Sequence, residues 1–142
     1  MDDVDIRKNF YADGTLHSIE LFQNEKRNGT CKWYYENGML EAEIVFVDDK
    51  REGKYKSYYE SGILWQEAEY KDDLQEGITR WYYENKSLAA EVNYSNGVLE
   101  GKTTWYYENK TVKLKEEFHN GKLDGISMGY DENGKMIFEE EY

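Results

Sequence analysis

Apolar and polar residues alternate with a period of two over most of the chain, in paired runs. The clearest pair, residues 30–36 and 39–47, flanks Asn37-Gly38. Such alternation puts successive side chains on opposite faces of a strand, so each run reads as a strand with one apolar face. Asn-Gly between two such runs is a strong hairpin signal, because a two-residue type I′ turn needs positive φ at both central residues. That turn pairs Tyr35 with Leu40, Trp33 with Ala42, Cys31 with Ile44 and Gly29 with Phe46. Cys31, Trp33, Tyr35, Leu40, Ala42, Ile44 and Phe46 then share a core face, and Lys32, Tyr34, Glu41 and Glu43 share a polar one. A one-residue slip would mix the two sets.

The hairpin recurs. Gly29, Gly53, Gly77, Gly101 and Gly125 step by a constant 24 residues, and the segments after them align without an insertion. A sixth, degenerate copy precedes them, with Phe10-Tyr11 standing where Tyr34-Tyr35 stand later. The position of Leu40 reads Leu16, Leu40, Leu64, Leu88, Val112 and Met136, and that of Phe46 is aromatic in all six copies. The glycine column lies across from this aromatic column, so a ring over bare backbone is the expected reason for it. On the polar face Lys32 opposes Glu43, Lys56 opposes Glu67 and Arg80 opposes Glu91, pairs that help fix register.

The connections between hairpins, such as residues 48–52 and 96–100, are short and polar. The predicted fold is therefore all-β: a tandem β-hairpin meander of about 12 antiparallel strands in one long twisted, curled sheet. Residues 1–142 form a single repeat domain of six 24-residue units, the first and last being worn caps. At roughly 4.8 Å per strand the sheet extends about 55 Å.

Composition narrows the function. The chain carries 18 Lys+Arg against 30 Asp+Glu, a net charge of −12. Nucleic acid and anionic membrane would repel such a surface, whereas a basic protein partner would be drawn to it. The first ten residues lack a signal-peptide pattern and no apolar run has membrane-spanning length, so a cytoplasmic location is expected. The single cysteine, Cys31, fits a reducing compartment and is expected to be a small buried hydrophobe.

The string Gly-x-x-x-x-Tyr-Tyr-Glu-Asn-Gly-x-Leu, complete from Gly29 to Leu40 and varied in the other copies, resembles the variant MORN repeat common in bacterial proteins. Lys86 and Lys110 depart from it by replacing the turn glycine. The resemblance implies a hairpin meander used as a protein-binding or membrane-associated module. Bacterial members are often antitoxin or immunity partners of a toxin.

No enzyme site is expected. His17 and His119 are too far apart to share a ligand, and the carboxylates recur in columns that give each a similar environment, whereas acid–base work needs dissimilar ones. No metal or cofactor is called for; Asp48-Asp49 and Asp72-Asp73 lack the spacing of a calcium loop. The residues that invite function are a row of partly exposed tyrosines, Tyr34, Tyr58, Tyr82 and Tyr106, and Trp65, which breaks the repeat beside Tyr58. They are the partner-binding candidates, since tyrosine gives large contact area at low entropy cost. The leading function is an antitoxin or immunity protein binding a basic toxin. The alternatives are a scaffold or membrane-associated module and, after it, a carbohydrate-binding module stacking sugars on the tyrosines.

Overall fold

The structure, a computed structural model, describes residues 3–142. Every regular element among them is a β-strand, and every pairing is antiparallel. The chain divides into two compact units, Met1–Leu74 and Gln75–Tyr142. The first holds β1 (Asp5–Phe10), β2 (Leu16–Gln23), β3 (Lys26–Arg27), β4 (Gly29–Tyr34), β5 (Leu40–Val47), β6 (Lys50–Tyr58) and β7 (Leu64–Lys71). The short β8 (Leu74–Gln75) falls at the division. The second holds β9 (Gly77–Tyr82), β10 (Leu88–Ser95), β11 (Val98–Leu99), β12 (Gly101–Tyr106), β13 (Val112–His119), β14 (Lys122–Leu123), β15 (Ile126–Tyr130) and β16 (Met136–Glu141). Strand order is β1-β2-β4-β5-β6-β7 in the first unit and β9-β10-β12-β13-β15-β16 in the second. Consecutive strands neighbour one another throughout, as a meander requires.

The predicted register holds along most of each hairpin. Gly29 pairs with Phe46, Cys31 with Ile44, Lys32 with Glu43 and Trp33 with Ala42. Lys56 likewise faces Glu67, and Arg80 faces Glu91 with a 2.7 Å ion pair. At the hairpin end the prediction fails. Tyr34, not Tyr35, is the partner of Leu40, after a bulge that leaves Glu41 unpaired. Only Gly38 of the Asn-Gly pair has positive φ, at 83°. Gly38 N–H donates to Tyr35 O and Tyr35 N–H to Met39 O, both at 2.9 Å. This is the longer hairpin loop, a type I turn closed by one left-handed residue, rather than a two-residue I′ turn. Asn37 favours it because its Oδ1 accepts from Met39 N–H at 2.9 Å, an Asx turn that the I′ geometry would forgo.

The I′ geometry appears instead in the connections, which the sequence left merely as short and polar. Asp48-Asp49 have φ of 49° and 70°, and Asp72-Asp73 and Asn96-Gly97 repeat the pattern. Asp and Asn tolerate the left-handed region better than other residues with side chains. After two further paired residues the chain bulges, and Gly29, four residues past the Asn24-Glu25 turn, sits there at φ 110°. This, rather than an overlying ring, is why the column is glycine. A Cβ on Gly29 would meet Leu21 Cδ1 at 2.9 Å, and one on Gly53 would meet Val45 at 3.8 Å; neither would meet an aromatic ring.

The bulge at each hairpin end changes which side chains share a face. Cross-strand partners point to one side, so Leu40 sides with Tyr34 and leaves the Ala42 face. The buried face that remains is narrow. Cys31, Ala90 and Val92 lie in it with Phe46 and Ala68; Thr79, Thr103 and Ser127 stand where Cys31 does, Ser18 where Ala90 does, and buried Ser57 where Trp33 and Trp81 do.

Each unit is tied from one hairpin to the next along both margins. At the loop margin, the second aromatic residue of four hairpin ends donates its hydroxyl to the backbone carbonyl of the first tyrosine in the next copy. Tyr11 reaches Tyr34 O at 2.6 Å, Tyr35 reaches Tyr58 O at 2.7 Å, Tyr83 reaches Tyr106 O at 2.8 Å and Tyr107 reaches Tyr130 O at 2.9 Å. Asn37, Asn85 and Asn109 add amide bonds to the carbonyls of Glu60, Glu108 and Glu132. At the other margin, Glu52, Glu76 and Glu100 accept from the turn N–H groups of Asp72, Asn96 and Asn120 at 2.7–2.8 Å. Asp73 Oδ1 accepts from Arg51 N–H at 2.9 Å, and this bond, with the guanidinium beside it, holds the carboxyl below its usual value.

Two stability predictions arise. Tyr107→Phe leaves Tyr130 O without its donor and is expected to lower unfolding free energy by about 1 kcal/mol in denaturant melts. Lys86 and Lys110 hold φ of 67° and 71° at the loop position where Gly38 stands. Lys86→Gly and Lys110→Gly are each expected to raise stability by about 0.5–1 kcal/mol, because the left-handed strain removed exceeds the entropy that glycine adds to the unfolded chain. An unchanged midpoint would show that no strain resides there.

Candidate functional surface

The tyrosine row named from the sequence is present but only half exposed. Tyr34, Tyr58, Tyr82 and Tyr106 are each of intermediate burial and pair directly with Leu40, Leu64, Leu88 and Val112. Tyr58 also donates to Glu43 Oε1 at 3.3 Å. Burial, and then that carboxylate, push its phenol above the ordinary tyrosine value. These rings pack on the leucine column and give part of one side to solvent.

Trp65 is 42% exposed, and its neighbour differs from the one expected. Its ring lies 6.4 Å from that of Tyr59, tilted by 57°, rather than beside Tyr58. The bulge explains the change: it brings the Trp65 column alongside the second tyrosine of each pair. Other copies agree, with Tyr11 edge-on to His17 at 4.7 Å and Lys113 Nζ 5.5 Å from the centroid of the Tyr107 ring. Tyr35, expected in the core, belongs to this margin too. Burial first, then Glu41 and Glu60, raise its phenol pKa. In the first unit the loop margin thus carries Tyr11, Tyr35 and Tyr59 with Trp65, and Met39 adds apolar surface at 42% exposure. Sequence alternation missed Tyr11, Tyr35 and Tyr59 because it carried the strand period through a bulge. Their one sequence signal is that they are the second of two adjacent aromatic residues at a hairpin end.

The second unit offers a different apolar feature. Trp81 and Trp105 stack at 6.5 Å with planes 12° apart, and Trp105 is 40% exposed. Shallow grooves of about 430 and 470 Å³ adjoin across Lys102 and Thr104, with Ile78 at one side and Ile126 and Met128 at the other.

Asp72 and His119, two polar groups weighed for chemistry from the sequence, each have a charged partner. Asp72 accepts from Lys50 Nζ at 2.8 Å, and this bond lowers its pKa. His119 Nδ1 meets Glu100 Oε1 at 2.9 Å at an exposed turn. No group of three or more His, Cys, Asp or Glu among the described residues could hold a metal ion. No helix among them is long and apolar enough to cross a membrane.

Tandem hairpins laddered at both margins define a β-hairpin repeat protein. The MORN repeat variant model matches residues 27–48, 51–72, 75–96, 99–120 and 123–142, and the chain belongs to that family. Each matched segment from the first to the fourth starts after one connection turn and runs into the next. The family is a non-catalytic repeat used for binding and scaffolding. No curated protein matches the chain.

Cys31 is fully buried, and its thiol accepts from Leu21 N–H at 3.4 Å. Burial raises its pKa above the usual thiol value, so little thiolate forms near neutral pH. Alkylation of the folded protein by a thiol reagent is expected to be at least about tenfold slower than in denaturant. Equal rates would place the thiol outside the buried face.

Proposed function

We propose that this chain is a non-enzymatic, protein-binding antitoxin or immunity protein that neutralises a basic toxin by covering it. The observation that carries the reading is the exposed Trp65–Tyr59 pair on a chain of net charge −12. An aromatic anchor in an acidic field suits a basic polypeptide: the field speeds encounter and the ring holds the complex. Membership of a repeat-based binding family supports the coarser half of the reading. The repulsion that this charge exerts on phosphates favours protein over nucleic acid or anionic lipid. The cytoplasm, where a toxin would meet its target, is the proposed compartment.

The test is a tagged pull-down from native cells, washed at low and then moderate salt, followed by kinetics on whatever protein is retained. One stoichiometric basic protein is expected, with an on-rate that falls steeply as salt rises. Trp65→Ala is expected to weaken binding about tenfold or more while leaving the unfolding midpoint unchanged. A retained partner indifferent to both salt and Trp65→Ala would overturn the proposal.

A further inference from the structure

Two strands have one hydrogen-bonded neighbour each along the strand order: β1 pairs with β2, and β16 with β15. Each leaves a row of backbone donors and acceptors on its outer side, a template for another strand. Both carry exposed apolar residues. Ile6 and Phe10 are each 58% exposed, Ile137 is 62% exposed and Met136 45%. Their charges differ in sign: β1 bears Lys8 and Arg7, the latter paired with Asp5 and Glu25, and β16 bears Glu139-Glu140-Glu141.

We propose that β1 of one copy adds to β16 of a second copy, head to tail, in the register that joins successive hairpins within the chain. That register is explicit at the internal junctions. Ala42 pairs with Ser57 and Glu43 with Lys56 where β5 meets β6, and Ser18 pairs with Trp33 and Ile19 with Lys32 where β2 meets β4. Carried forward by the 24-residue period, it places Glu139 opposite Lys8 of the next copy and Phe138 opposite Asn9. The Glu139–Lys8 pair reproduces Glu43–Lys56.

Like-with-like pairing is disfavoured by the same charges. Two β16 strands would set glutamates against glutamates, and two β1 strands would set Arg7 and Lys8 near one another. A second observation points the same way. Asn37, Asn85 and Asn109 each donate an amide N–H to a carbonyl in the following hairpin loop. Asn133 keeps that residue type in the last loop, where Asp131 Oδ1 instead accepts from both Asn133 N–H and Lys135 N–H at 2.9 Å. In the proposed register its amide faces the carbonyl of Ala12 in the next copy. The junction is heterologous, so it builds rings or open chains rather than a closed dimer.

Sedimentation velocity of the full chain over a wide concentration range tests this, with charge-reversal variants beside it. Concentration-dependent growth beyond a dimer is expected, weakened about tenfold by Lys8→Glu, the change expected when an attractive cross-strand contact becomes repulsive. Combining Lys8→Glu with Glu139→Lys in one chain is expected to restore it, which no loss of folding could do. In a Cys31→Ser background, mixing Lys8→Cys with Glu139→Cys chains is expected to give mixed disulfide dimers in preference to either homodimer. A chain that stays monomeric throughout, a Lys8→Glu variant that assembles as well as the parent, or cross-links chiefly between two Glu139→Cys chains would each overturn the proposal.

Discussion

The bond on which both units depend is the tyrosine hydroxyl of one hairpin loop on the backbone carbonyl of the next. A hairpin that ends in a bulge leaves main-chain groups near its tip without ladder partners, and a half-buried carbonyl without a donor is costly. Tyr35 supplies that donor to Tyr58, as Tyr107 does to Tyr130. A phenol suits the task, since its ring spans the distance between loops and packs on the way while only the oxygen needs a polar partner. The paired tyrosine follows: the first ring lies on the leucine column, and the second ties one copy to the next. Because the bond joins neighbours only, stability accrues copy by copy, as in other linear repeats.

The same logic explains what could be read from the sequence. Hairpin number, register through Trp33–Ala42 and the Lys–Glu ladder were legible because they follow from period and alternation, which survive any turn type. The turns were not legible, because Asn-Gly serves two geometries. A side-chain bond from Asn37 to Met39 N–H decides between them, and no periodicity reports it. The exchange had a consequence for the surface: once Glu41 is bulged, Trp65 moves from the neighbourhood of Tyr58 to that of Tyr59. The glycine column was found by spacing and given the wrong cause, since spacing does not reveal the sign of φ. A ring over glycine does occur in the last copy. A Cβ added to Gly129 would overlap Phe138, so here that ring takes the room that Trp33 and Trp81 fill elsewhere.

What the scaffold requires and what it leaves free fall in different columns. The glycine, both tyrosines, the leucine and the turn-margin carboxylates recur because each meets a geometric need of its own. The Trp65 column has no such duty. It reads His17, Glu41, Trp65, Ala89, Lys113 and Ile137: an imidazole, an acid, an indole, a methyl, an amine and an aliphatic chain. All six lie beside the loop margin, and the fold tolerates every one of them. A position that is structurally indifferent and partly open to solvent is where a repeat protein can vary its contacts without disturbing its ladder. The exposed indole of Trp65 is the largest apolar group placed there, and the tyrosine beside it orients the ring rather than burying it. On the proposed reading, the repeat within each unit supplies spacing and this free column supplies identity.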